Sequence, residues 1–475
     1  MKSNLISLFF CISLLFSDTW EGYTIFTPYV SDVSIFSTST YLLNTSGETI
    51  HTWVHQKNPA SMPYLRPDSS IVYPYVVDAP SMIAGGVGGG IQIISWEGSV
   101  IWNYEISNIN FQHHHDIQPL SNGNILVIAW ERKTATEAFS LGRQVIDNPL
   151  NQMWSEVIFE LEPSGNDNAN IVWEWHLWDH LIQDISNEYP NFGVISEHPE
   201  LFNINEGNVG SGTTSNGDWF HINAIDYNEE LDQIVFSSKL HDEIFIIDHS
   251  TTSEEASGHT GGNCGLGGDF LYRWGNPQNY AIGYENDKKL ESQHGINWIP
   301  SSYPGSGNLI LFNNFYSNSL SAVFELEPPL NDNGCYDILL NEPFGPSDLI
   351  WMHTETYHAD RQSGAFRLGN GNTLITDANS LRIIEVNTQG AIEWEYNFIG
   401  NTNMIPRAQK YPIDYFNFDI LLGDINNDGI INILDVVSVV NIVLGQAEWV
   451  DIADYNSDGI INVLDIVSIV NIILD

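Results

Sequence analysis

The sequence predicts a mainly β chain: a six-bladed β-propeller followed by a small all-α module. Three observations predict it. A histidine-led unit recurs along the chain, aromatic strands recur beside it, and the C-terminal segment changes abruptly in composition and carries a duplicated acidic loop.

The histidine-led unit opens on a turn and runs into a β-branched strand. One copy runs from His115 through Pro119 and Asn122-Gly123 into Ile125-Leu126-Val127. The next begins at His221, turns near Asp226 to Asp232 and continues as Ile234-Val235-Phe236. The third begins at His294, turns around Pro304 to Asn308 and continues as Leu309-Ile310-Leu311-Phe312. A fourth starts at Ser363 and leads into Leu374-Ile375. Equivalent positions of a cyclic repeat face one axis, so three imidazoles should converge there.

Aromatic strands follow Gly or Asp six times, around Trp53, Trp102, Trp173, Trp274, Trp351 and Trp394. Repeats of about 40–50 residues with several short strands and periodic aromatics point to a propeller, with these tryptophans packing blade against blade. Uneven spacing requires insertions, and strand patterning fails over residues 179–217, where helical pieces are expected to cap one face. The glycine-rich residues 84–90 read as a loop between strands. They lack the lysine and the strand–helix context of a phosphate-binding loop.

Composition narrows the function. The chain has 15 Lys+Arg against 60 Asp+Glu, a formal net charge of −45. Nucleic acid and anionic membranes are bound through excess positive charge, so both are excluded as partners. Lys2, an apolar run from Leu5 to Phe16 and then Ser17-Asp18 read as a signal peptide over residues 1–17, too short to span a membrane. The expected location is secreted, periplasmic or at the cell surface. No other stretch approaches the length of a transmembrane helix. The mature chain keeps Cys264 and Cys335, whose separation the sequence does not give, so their pairing stays open. The propeller is assigned to 18–400, a closing tail or linker to 401–422 and the final module to 423–475.

In that module Asp424, Asn426, Asp428, Asn432 and Asp435 occupy positions 1, 3, 5, 9 and 12 of a twelve-residue loop, with Gly429 at the sharp turn. The pattern returns as Asp454, Asn456, Asp458, Asn462 and Asp465, with Gly459 at the turn. Such oxygen ligands suit Ca²⁺, and the carbonyls of Ile430 and Ile460 at position 7 would complete each set. Apolar helices are expected over 436–444 and 466–474. The pair resembles a type I dockerin, which implies two calcium ions and a cohesin-like protein partner. It departs from dockerins at loop positions 10 and 11, where Ile433-Leu434 and Val463-Leu464 replace small polar residues. The competing reading is a calcium-stiffened cap or attachment tail without a dedicated partner.

The propeller motifs Gln112-His113-His114-His115-Asp116, Asp218-Trp219-Phe220-His221-Ile222-Asn223 and Gln293-His294 resemble the arylsulfotransferase family. So do Leu368-Gly369-Asn370-Gly371-Asn372 and Arg407-Ala408-Gln409-Lys410-Tyr411-Pro412. The resemblance implies a six-bladed propeller that carries a sulfuryl group from an aryl sulfate to a phenolic acceptor on a histidine, without a nucleotide cofactor. The matching nucleophile is His294, flanked by His115 and His221, with Asn223 beside them. The family has arginine where this chain has Lys239, in Ser237-Ser238-Lys239; lysine keeps the charge but loses the planar fork. Ser363 and His114 are assigned to substrate binding, although His113 and His114 read as loop residues rather than catalytic ones. Sulfuryl transfer, like phosphoryl transfer, rests on in-line positioning and cationic donors, and a neutral imidazole is a competent nucleophile. Two other readings use the same residues: a transition-metal site of three imidazoles, for which no carboxylate clearly joins them, and a non-catalytic propeller that binds a ligand or partner.

Overall fold

The computed structural model describes residues 19–30, 37–210, 216–317, 320–339, 341–355, 358–416, 423–426, 431–447, 450–456 and 459–474. The expected signal peptide, and Asp428, Ile430 and Asp458 of the acidic loops, lie outside these residues.

Six four-stranded antiparallel sheets form the blades. Blade two comprises Tyr64–Leu65, Ile71–Val76, Gly89–Ile94 and Val100–Glu105. Blade three comprises Phe111–Pro119, Ile125–Thr134, Gln152–Ser164 and Asn168–His176. Blade four comprises Ile222–Asn228, Gln233–Ser238, Glu243–Asp248 and Tyr272–Trp274. Blade five comprises His294–Trp298, Leu309–Ser317, Leu320–Leu326 and Trp351–His353. Blade six comprises Gly364–Arg367, Thr373–Asp377, Arg382–Val386 and Ile392–Asn397.

Blade one is built from both ends of this region. Gly22–Phe26, Thr38–Leu43 and Thr49–His55 are completed by the innermost strand Ala408–Pro412, which pairs from Gly22 with Pro412 to Phe26 with Ala408. The closing strand joins the first blade to the last and completes the ring, which leaves only short, protected sheet edges.

Five of these tryptophans bind one blade to the next. Trp53 Nε1 donates to Ser95 O, Trp102 to Asn168 O, Trp173 to Thr251 Oγ1, Trp274 to Pro346 O and Trp351 to Thr388 O. An indole thus buries its rings between sheets and satisfies its one donor on the neighbouring blade. Cys264 and Cys335 form a disulfide, with Cα atoms 5.7 Å apart, joining the outer loops of blades four and five.

Over 179–217 the structure corrects the sequence. Among the described residues the segment holds no α-helix; it has the 3₁₀ turn Ile195–Glu197 and a two-residue parallel pairing of Leu181–Ile182 with Phe202–Asn203. Its backbone is satisfied from the propeller instead: Arg273 Nη1 donates to Pro199 O and Leu201 O while its guanidinium pairs with Glu243. A short helix forms at Ala135–Ser140, capped reciprocally by Thr134 and Glu137.

The C-terminal helices span Ile433–Val443 and Val463–Leu474 and bury Val436, Val439 and Ile469 with Ala453. Each begins three residues before the expected start, the first capped by Asn432, whose side chain accepts from Leu434 N. Among the described residues no helix is long and apolar enough to cross a membrane.

Buried charge pins the closing strand. Lys410 Nζ lies 2.7 Å from Glu385 Oε2, and Glu385 Oε1 accepts from Trp20 N and Asn372 Nδ2. Lys410→Met leaves Glu385 buried without its cation, an expected cost of about 3–5 kcal/mol. The expected result is a clear fall in thermal midpoint, measured by circular dichroism; an unchanged midpoint would show that the pair contributes nothing to closure.

Candidate functional site

Three inner strands are interrupted at the same place. Register shifts lie between His113 and Ile117 in blade three, Ile222 and Ala224 in blade four, and His294 and Asn297 in blade five. Backbone at these points enters the left-handed region, at φ +52° for His115, +61° for His221 and +66° for Gly295; Ser363 follows at +79° in blade six. A bulge re-aims a side chain that regular alternation would send to a sheet face. Here it turns successive blades' histidines toward the axis, at a backbone cost typical of functional positions.

His294 is held by its Nδ1, which lies 2.8 Å from Asn314 Oδ1 and 3.0 Å from Ser292 O. Asn314 Nδ2 donates to Ala359 O and Gln362 O, so Oδ1 must be the acceptor facing the ring. Nδ1 therefore carries the proton, and Nε2 carries the free lone pair. Burial, aided by the Lys239 charge, pushes the His294 imidazole down to about 3, so the ring is neutral at ordinary pH.

His221 is oriented by Asp218, whose Oδ2 lies 2.5 Å from Nδ1, while Asp218 Oδ1 accepts from Trp130 Nε1. The His115 and His221 rings meet edge to face, centroids 4.6 Å apart. His115 Nδ1 is 2.9 Å from His114 Nδ1, and burial, with His221 and His114 beside it, holds its pKa well below the usual range. Glycine 86 caps this ring: His115 N donates to Gly86 O at 2.6 Å, and a Cβ on Gly86 would lie 2.0 Å from the imidazole.

Asn223 ties this group to the next blade, Nδ2 donating to Gln293 O at 2.7 Å, while its buried Oδ1 has no hydrogen-bond partner among the described residues. Half-buried Lys239 follows blade four's second strand and donates its backbone N–H to His221 O. Its ammonium forms no ion pair among the described residues, yet its field lowers both His115 and His294. Asp218, Asp360 and Asp242 act on the ammonium electrostatically, and a cation beside neutral imidazoles is suited to an anionic group. Ser363 Oγ accepts from Ala378 N at 3.1 Å, which leaves its hydroxyl proton to donate.

His113 and His114 are strand residues and fully buried, not loop residues. Apolar burial on both sides of the bulge draws them into the sheet. His113 Nδ1 accepts from Gly89 N. His114 stands behind His115, stacked on Trp130 at 4.1 Å with Nε2 2.9 Å from Glu156 Oε2, so it reaches the site through His115 rather than by its own surface.

Sequence reasoning missed Glu156, Asp218, Asn314 and Gly86. Asp218 stood three residues before His221, and Glu156 was an acid set in an apolar strand, so both left a trace. The partnership of Asn314 with His294 left none.

Among the described residues, one set of three ligand groups has its atoms within 4.8 Å of one another: His180, His259 and Asp269, outside the axial group. A cavity of about 900 Å³ opens at the other end of the inner strands, lined by Gln118, Asp226, Trp298, Phe366 and Arg407. Arg407, which lines this cavity, is buried with its Nη2 2.6 Å from Asp116 Oδ2 and 3.1 Å from Tyr64 Oη.

The Arylsulfotransferase (ASST) family model matches residues 77–327, more than half of the chain, and takes in all three axial histidines, Asn223 and Lys239. No curated protein matches the sequence. A protein of unknown function from Bacteroides caccae is similar in structure at 11% identity and TM-score 0.42, covering 82% of this chain and 98% of that one. The periplasmic gluconolactonase PpgL of Pseudomonas aeruginosa is similar at 10% identity and TM-score 0.42, covering 82% and 99%. At these values neither likeness bears on activity or substrate.

Gly86→Ala places a methyl group against His115 at φ +74°, whereas a Cβ on Gly85 would make only an ordinary contact, 3.5 Å from His221. Gly86→Ala is expected to destabilise the protein by about 2 kcal/mol or more in urea unfolding, and Gly85→Ala by far less. Equal effects would show that Gly86 does not set the His115 ring.

Proposed function

Because the chain belongs to the arylsulfotransferase family, we propose that it moves a sulfuryl group from an aryl sulfate ester to a phenolic acceptor through His294, without a nucleotide cofactor. Family membership suggests the activity. The observation that supports this mechanism is the state of His294: neutral, with Nδ1–H fixed on Asn314 and the Nε2 lone pair free beside Lys239.

In the first half-reaction Nε2 attacks sulfur, the N–S bond forms, and the bond from sulfur to the aryl oxygen breaks. The leaving phenolate takes a proton from a neighbouring imidazole. Lys239 and the hydroxyl of Ser363 hold the sulfuryl oxygens, whose charge is spread in the transition state. Asn223 keeps blade five's His294 in register with blade four's His221. In the second half-reaction an acceptor phenol gives up its proton, attacks sulfur and releases neutral His294.

The test is nitrophenolate release from 4-nitrophenyl sulfate, with and without phenol. Wild type is expected to turn over only with phenol, and His294→Ala to lose about 10³-fold or more. No release by wild type would leave a binding propeller; full activity in His294→Ala would exclude His294 as the carrier.

We also propose that the C-terminal module binds two Ca²⁺ and docks a cohesin-like protein. Residues 423–475 contain no Lys, Arg or His, yet Asp424, Asp435, Asp454 and Asp465 are buried. Asp435 Oδ1 accepts from Ile425 N and Asn426 N and Oδ2 from Asn432 N; Asp465 receives Asn456 N and Asn462 N in the same way. Carboxylates gathered in closed loops without a basic residue fit a hard cation. Ile433, Leu434 and Val437 are exposed, as are the duplicated Val463, Leu464 and Val467, which supports an apolar docking face over packing within the chain. The apolar leader and the disulfide support export to an oxidising compartment. Calorimetric titration of the full chain is expected to show two calcium ions per molecule, reduced to one by Asp435→Ala or Asp465→Ala. An unchanged count in either variant would remove that loop as a ligand set.

A further inference from the structure

Glu156, His114 and His115 form a continuous hydrogen-bonded line from the sheet interior to the axis. Glu156 Oε2 is 2.9 Å from His114 Nε2, and His114 Nδ1 is 2.9 Å from His115 Nδ1. His114 occupies His115 Nδ1, so Nε2 is the ring nitrogen left over, and the His115 ring meets that of His221 edge to face. All three side chains are buried. Resting on the transferase reading above, we propose that Glu156 is the proton store of the site, a positioning residue that acts through two imidazoles and makes His115 Nε2 the donor to the leaving phenolate.

A ring nitrogen facing another ring nitrogen requires one donor and one acceptor, so the state of Glu156 sets the whole line. With Glu156 ionised, His114 Nε2–H donates to it, His114 Nδ1 accepts from His115 Nδ1–H, and His115 shows the site a lone pair. With Glu156 protonated, its O–H donates to His114 Nε2, His114 Nδ1–H donates to His115 Nδ1, and His115 shows the site an N–H. The groups facing Glu156 are His114, Asp218, and the backbone amides of Ile222, which donates to Oε1 at 3.0 Å, and of His221. Burial raises Glu156 well above the carboxylate range, Asp218 adding to the shift, while burial lowers His114 well below the imidazole range. Both directions favour the neutral, N–H-presenting line.

The step balances. As the bond from sulfur to the aryl oxygen breaks, the His115 Nε2 proton passes to that oxygen. His115 Nδ1 takes the proton of His114 Nδ1, and His114 Nε2 takes the proton of Glu156. Both imidazoles stay neutral with reversed tautomers, and the negative charge of the ester ends on Glu156 while His294 carries the sulfuryl group. When the acceptor attacks, its proton returns along the same line and resets it. His221 is engaged at Nδ1 by Asp218 directly, with no second imidazole between ring and carboxyl.

Glu156→Gln keeps the line, since an amide N–H can donate to His114 Nε2, but cannot give up the proton. The experiment is single-turnover release of the leaving group, comparing phenyl sulfate with 4-nitrophenyl sulfate, whose anion departs without protonation. Glu156→Gln is expected to slow phenol release by about 10²-fold, the low end of general acid catalysis, and nitrophenolate release by less than about threefold. Equal losses on both donors, or none on phenyl sulfate, would overturn the relay while leaving sulfuryl transfer standing. No release by wild type from either donor would sink the transferase reading and the relay's catalytic role together. A second measurement is ¹⁵N spectroscopy of histidine-labelled protein, in which His115 is expected as the Nε2–H tautomer in both wild type and Glu156→Gln. The Nδ1–H tautomer in resting wild type would also overturn the relay.

Discussion

The pairing of Ala408–Pro412 with Gly22–Phe26 is the constraint on which the rest of the structure depends. A six-sheet array has an axis only once its ends are joined, and only then do equivalent positions of successive inner strands face one another. The same strand delivers chemistry to the axis. Arg407 immediately precedes it and reaches across to Asp116 of blade three, and Lys410 within it pairs with Glu385 of blade six. Closure of the ring and the placing of these two buried cations therefore come together.

On that frame the site resolves a contradiction in the composition. A chain of net charge −45 repels anions at long range. At the axial site His115 and His294 are neutral by burial, Lys239 forms no ion pair among the described residues, and the carboxylates Asp218 and Glu156 stand behind His221 and His114. In the proposed transfer, selectivity for an anionic ester would come from short-range donors among these buried side chains, where each hydrogen bond counts for more than at the surface.

The architecture was legible because period and position survive in sequence. Six aromatic strands announced six blades, and the spacing of His115, His221 and His294 announced their convergence. The sequence leaves the disulfide open because Cα separation is a tertiary quantity; the fold brings Cys264 and Cys335 to 5.7 Å. Residues 179–217 hold no α-helix among the described residues, since their order comes from outside, through Arg273, rather than from any local period. His114 does not read as a buried strand residue because a bulge breaks the alternation that would mark it. Glu156 lies on the third strand of blade three and Asn314 on the second strand of blade five, and residues that act through another side chain leave no motif of their own.

The most direct measurement of the central claim is mass spectrometry of the protein after exposure to 4-nitrophenyl sulfate without an acceptor, under alkaline quench. The account predicts a gain of one sulfuryl group, located on the peptide that contains His294 and removed when phenol is added. A sulfuryl group on His115 or His221 instead, or an unmodified protein that nonetheless releases nitrophenolate, would contradict it.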